Sequence, residues 1–140
     1  MQQANGMLAT ASMIETAAAV RAGIVSVVET TEATMGRIQV LDVSINALVA
    51  RNFDRAREQA ERVDTVVTKG AILPVTDVRM RVKDVFNVAD LPTTFGLEFA
   101  RNYRPTEDAP TIRRFSSHPL AMVIRSGVSD SRDSCAGVWL

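Results

Sequence analysis

The stretch Val82-Lys83-Asp84-Val85-Phe86-Asn87-Val88-Ala89-Asp90-Leu91-Pro92-Thr93-Thr94-Phe95-Gly96 joins a strand pattern to a loop pattern. Leading into it, Val78, Met80 and Val82 alternate with Arg79, Arg81 and Lys83, the period of two of a half-buried strand. That places Lys83 at the strand's end. Beyond it, Leu91-Pro92-Thr93-Thr94-Phe95-Gly96 is loop chemistry, with a proline and a glycine bracketing two hydroxyls.

Upstream, the pattern changes to helical. Ser12-Met13-Ile14-Glu15 and Ser26-Val27-Val28-Glu29 both have capping-box spacing, in which serine accepts from the third helical amide and glutamate reaches back. Gly23 between them suits a helix end, so the order reads helix, turn, helix. In the second helix Val28, Thr31, Met35, Ile38 and Leu41 fall on one face, which predicts burial. Asp42-Val43-Ser44 reads as non-helical, followed by a brief strand over 45–50. Phe53, Ala56, Ala60, Val63 and Val67 then carry a third helix, with Glu58 and Arg62 paired outside and Gly70 as the stop.

Downstream, Asp108-Ala109-Pro110 has the composition of a helix start, with the aspartate at the cap and the proline in the first turn. His118-Pro119 interrupts that helix, and a short strand is expected over 121–124. From Arg125 onward the chain is rich in serine, arginine, aspartate and glycine without apolar period, which predicts poor order. Helices mixed with short strands point to the α/β class.

Composition narrows the function classes. A 140-residue chain that is 46% hydrophobic fits one modest core. Sixteen basic residues balance 16 acidic ones, so no electrostatic footprint for nucleic acid is present. Cys135 is the single cysteine, which fits a reducing cytoplasm and removes any disulfide framework. The apolar run 17–20 is short and flanked by Glu15 and Arg21, so neither a leader nor a membrane span is expected.

The Val82-Lys83-Asp84 segment and its Thr-Thr-Phe-Gly loop resemble the amidase signature family around its catalytic lysine. The capped helix from Ser26, Ile45-Asn46-Ala47-Leu48-Val49, the helix ending at Gly70 and Glu107-Asp108-Ala109-Pro110 follow the family's N-terminal order. The resemblance runs from about Leu8 to Phe115. It implies an incomplete amidase-signature α/β fold: N-terminal helices, then the first short strands. It divides the chain into an amidase-like region over 1–117 and a divergent tail over 118–140.

The resemblance also implies a chemistry. Such enzymes use a serine nucleophile, a second serine on a cis peptide and a lysine that relays the proton, and they cleave or transfer from a carboxamide. By position, Lys83 takes the base role. A lysine is a base only when neutral, a form that burial and neighbouring positive charge both favour. Both serines belong to glycine- and serine-rich segments that these 140 residues do not contain, so the expectation is an inactive N-terminal fragment. A small amide substrate is expected only where the missing part is supplied. A second polypeptide completing a split amidase or amidotransferase is one alternative, and a non-catalytic helical binding module is another. No cofactor or metal is expected, and neither nucleic acid nor a membrane is an expected partner.

Departures from the family pattern shape further expectations. Asp77, Val78 and Arg79 replace glycine, valine and proline, and Arg81 replaces a small or apolar residue. Three cationic side chains on one strand face must therefore be either paired or wet. Asp90 stands where glycine is usual, and Leu97 where serine is frequent. After Ser117 the pattern fades, as it would in a truncated or frame-shifted gene. Truncation is expected to leave the faces around Val28, Ile38, Phe53 and Val63 incompletely covered, favouring self-association or a partner chain. His118 beside Ser116 and Ser117 is too local for a triad, Asp130 and Asp133 are too few ligands for calcium, and Cys135 has no neighbour that would activate it.

Overall fold

A computed structural model describes residues 11–71, 79–116 and 122–126. The expectations for Asp77, Val78, His118, Asp130, Asp133 and Cys135 lie outside the described residues, as does most of the segment expected to be poorly ordered. The elements in chain order are α1 (Met13–Arg21), α2 (Val27–Ile45), β1 (Leu48–Ala50), α3 (Phe53–Thr68), β2 (Arg79–Lys83), a 3₁₀ turn (Glu98–Ala100), α4 (Pro110–Ser116) and β3 (Met122–Ser126).

Both capping boxes form. Ser12 accepts from the Glu15 amide and Ser26 from the Glu29 amide, while each glutamate returns a bond to its serine's N–H. Gly23 takes φ +68°, the left-handed conformation for which a glycine is suited. A second cap on α2 comes from far along the chain: the Asp64 carboxylate on α3 accepts from the amides of Val27 at 2.7 Å and Val28 at 3.0 Å. The first turn of α2 is thus stitched to α3 by a charge placed where helix amides are unsatisfied.

Around that stitch Val20, Val27, Ala60 and Val63 form one apolar cluster, and Met35, Ile38 and Ala56 form another, with Leu48 and Phe53 packed against it. The spacing-based face of α2 is close to the buried one, though Leu41 is exposed and Val27, Thr30 and Asp42 are buried. Of the four positions expected to be incompletely covered, Ile38 and Val63 are buried, while Val28 and Phe53 are partly buried against the two clusters. The α2–α3 pair closes over its own core. The exposed apolar side chains lie elsewhere, including Val40 (75%), Val43 (83%) and Phe99 (87%).

Helix α2 runs four residues past the expected stop at Leu41, and the following strand shrinks to Leu48–Ala50. The cause is Asp42. Its buried carboxylate accepts from the amides of Ala47 at 2.8 Å and Leu48 at 3.2 Å and pairs with Arg51, fixing the chain as it turns through Asn46 at φ +51°. A residue with weak helix propensity therefore stabilises the helix exit. Burial pushes the Asp42 carboxyl up, but the Arg51 hydrogen bond and charge and the two amides outweigh it and hold it below its ordinary value.

The strands form one sheet in the order β1-β3-β2. Strand β3 is central, antiparallel to β1 and parallel to β2, with Lys83 opposite Ser126. A parallel pair needs a crossover, and the loop after Lys83, the 3₁₀ turn and α4 supply it. The first α4 hydrogen bond runs from the Arg113 amide to the Ala109 carbonyl, so the cap falls one residue after the expected Asp108. Asp108 instead accepts from the Ala89 amide at 2.8 Å and anchors the crossover.

Two stability changes should follow. Asp64→Ala leaves two helix amides without their charged acceptor and should cost about 1–3 kcal/mol in a thermal or urea melt, as much as or more than Ser26→Ala. Because the Asp42 carboxyl is lowered in the fold, its contribution is complete above the ordinary carboxylate value and is lost as pH falls through the lower folded value. The stability gap between the parent and Asp42→Asn should therefore be level near neutrality and narrow below about pH 4.

Candidate functional site

The end of β2 shows how one residue type is turned outward between two buried ones. Val82 is 3% exposed and Asp84 1%, while Lys83 between them is exposed, as strand alternation requires. Val82 packs with Val88, Leu91 and Ile112, so the strand's inner face is fixed by the crossover it leads into. Arg81 is exposed as well, so the side chains of Arg81 and Lys83 both reach the surface. The side chain of Arg79 lies outside the described residues.

Asp84 brings the Thr-Thr loop back onto the strand. Its carboxylate accepts from the Thr94 amide at 2.9 Å and from the Thr94 hydroxyl, and its carbonyl accepts from the Phe95 amide at 3.1 Å. The Thr94 oxygen in turn accepts from the Gly96 amide at 3.2 Å. Thr93, fully buried, donates its amide to the Tyr103 carbonyl at 3.1 Å. The Lys83 carbonyl accepts from the amides of Val85 at 2.7 Å and Phe86 at 3.2 Å, which stops the strand in a tight turn.

Three residues of this loop have left-handed backbone: Asp90 at φ +66°, Phe95 at +54° and Gly96 at +73°. Asp90 thus adopts the conformation that a glycine would take without strain, and its amide is held by the Pro105 carbonyl at 3.0 Å. Aspartate tolerates that region better than most residues, which lets the replacement stand.

Sequence reasoning placed Lys83 at the strand end, and the structure puts it there. It did not assign roles to Asp84 or Thr94. The signal was a carboxylate directly after an outward lysine, which alternation sends into the interior, where it needs donors. Burial is one of the two features that favour a neutral lysine, and Lys83 does not have it here. What the described residues build is a lysine on a rigid base, facing open solvent.

A helix pair and a small mixed sheet, with an exposed lysine at a strand end and a carboxylate-tied loop behind it, make up an α/β fragment. The chain belongs to the Amidase family, whose model matches residues 29–132. It is 30% identical over 119 residues to a glutamyl-tRNA(Gln) amidotransferase chain from Thioalkalivibrio sulfidiphilus (strain HL-EbGR7), covering 85% of this chain and 25% of that relative. Its fold is similar to that of a fatty acid amide hydrolase, with a TM-score of 0.80 at 20% identity over 87% of this chain and 22% of the other. It is also similar to the native peptide amidase of Stenotrophomonas maltophilia, with a TM-score of 0.71 at 25% identity over 85% and 24% of the two chains. The chain spans about a quarter of the length of the curated relatives it matches.

The family match runs over residues 29–132, and β3 at Met122–Ser126 is the central strand of the sheet. An exposed lysine contributes little to folding. Lys83→Ala should shift the unfolding free energy by no more than about 0.5 kcal/mol. A chemical melt of the two proteins checks this, and a near-equal midpoint frees Lys83 for a role outside the fold.

Proposed function

We propose that this chain supplies the N-terminal part of a carboxamide C–N hydrolase, with Lys83 as its proton-relaying base. The single observation that supports the reading most is the Amidase match over 29–132, a span that includes Lys83, the residue to which the resemblance gives the base role. The chain's geometry is compatible with that role: the side chain is exposed at a strand end, where a second surface carrying the serine nucleophile can be laid over it. Covering Lys83 would bring the burial that favours its neutral form. Once neutral, it can take the serine's proton as the hydroxyl attacks the amide carbonyl and pass it toward the leaving amine.

On this reading the 140 residues alone do not turn over, because a base without a nucleophile and oxyanion donors cannot complete acyl transfer. The glycine- and serine-rich segments complete the site, and the substrate is a small non-peptide amide held only in the completed site. A cytoplasmic setting fits the single cysteine. No helix among the described residues is long and apolar enough to cross a membrane.

A second reading is favoured by the amidotransferase relatives: the completed protein would transfer the amide nitrogen rather than release it. Both readings give the same result for the isolated chain. Purified protein should release no ammonia above background from aliphatic or aromatic amides. Coexpression with a chain bearing the serine segments should give release that Lys83→Ala abolishes. Turnover by the isolated chain that survives purification and is lost in Lys83→Ala would overturn the claim of inactivity.

A further inference from the structure

Among the described residues, one buried carboxylate is the sequence neighbour of the residue the proposed reaction needs. Asp84 is 1% exposed and follows Lys83 in the chain. A carboxylate that far from water must find donors, and those of Asp84 include the amide and the hydroxyl of Thr94, ten positions away. The result is a closed ring of chain from 84 to 94, fastened at the point where β2 ends.

The fastening acts on Lys83 from both sides. Its own carbonyl is held by the amides of Val85 and Phe86, and the next carbonyl, that of Asp84, by the amide of Phe95. Behind it Val82 is locked into the cluster with Val88, Leu91 and Ile112. Phe95 is kept at φ +54°, a conformation a bulky residue adopts only when its surroundings impose it, and the Thr94 oxygen holds the Gly96 amide that follows. The Lys83 backbone is therefore fixed while its side chain stays exposed.

We propose that Asp84, acting through Thr94, is the positioning residue for Lys83. This rests on the hydrolase reading above: the clamp sets the origin and direction of the lysine before any serine-bearing surface arrives. A long, flexible side chain reaches a catalytic geometry reproducibly only when its backbone is held, since a displacement of about 1 Å at a reacting group can cost on the order of a hundredfold in rate. The clamp is complete within this chain and needs nothing from the missing part.

The chain has two lysines, Lys69 and Lys83, which makes a direct test practical. Lys69 is the C-cap of α3, exposed and remote in sequence from the clamp, and serves as the internal reference. Reductive methylation with ¹³C-formaldehyde gives one dimethyl-lysine signal for each, assigned with Lys83→Ala. Thr94→Val removes the hydroxyl, Thr94→Ser keeps it, and Asp84→Asn removes the charge. Thr94→Val and Asp84→Asn should move or broaden the Lys83 signal and change its methylation rate relative to Lys69, with Thr94→Ser restoring both. Should Asp84→Asn fail to fold, the two Thr94 variants decide alone. A Lys83 signal and rate ratio that stay at the parent values in folded Thr94→Val would overturn the positioning role, leaving Asp84 as a loop anchor. The readout is made on the isolated chain and does not depend on amide turnover, so a failed amide assay counts against the hydrolase reading and not against the clamp.

Discussion

The Asp84 carboxylate, buried and satisfied by the amide and hydroxyl of Thr94, is the constraint on which the site depends. An unpaired carboxylate in that position would cost several kcal/mol, so the loop 84–96 has to close for the strand to end where it does. Closing it forces Phe95 and Gly96 into left-handed backbone, and the same closure carries the chain toward α4 and the parallel strand β3. Strand alternation then leaves Lys83 outside. The interior demand of one acidic residue thus fixes the exterior presentation of its basic neighbour.

The helical half supports this from a distance by the same device. Asp64 ties the first turn of α2 to α3, and Asp42 ties its last turn to the entry of β1 and to Arg51. Each replaces water at unsatisfied backbone groups or partners with a fixed carboxylate. Surface pairs such as Glu58 with Arg62, 3.9 Å apart and both exposed, contribute little beside them. Between the two acidic ties the valine, alanine and methionine clusters give the pair its own covered core, so the helices do not depend on the rest of a larger enzyme to bury their main apolar stripes.

Local signals were legible in the sequence wherever cause and effect lie within one turn. The capping boxes at Ser12 and Ser26, the stripe through Phe53, Ala56, Ala60 and Val63, and the outward Lys83 all follow from spacing. What spacing could not show were contacts between residues far apart. Asp42 reads as a helix breaker by propensity, yet its carboxylate stabilises the exit of α2, because the amides of Ala47 and Leu48 and the charge of Arg51 converge on it. Asp64 looks like one more surface charge on α3 until folding sets it against Val27. Strand β3 was legible as a short apolar run, while its central place between β1 and β2 depends on a crossover that no local pattern encodes. Family likeness supplied the role proposed for Lys83; the chain's own chemistry supplied its placement.

On the proposed reading, the exposed lysine on its clamped strand is one part of a catalytic arrangement whose serines these 140 residues do not contain. The most direct measurement is a crystal structure of the chain assembled with a polypeptide bearing the glycine- and serine-rich amidase segments. Lys83 Nζ should then be covered and lie within hydrogen-bond reach of a serine hydroxyl, at about 2.6–3.2 Å. A complex that forms with Lys83 still in solvent, and with another group beside the serine, would contradict the assignment.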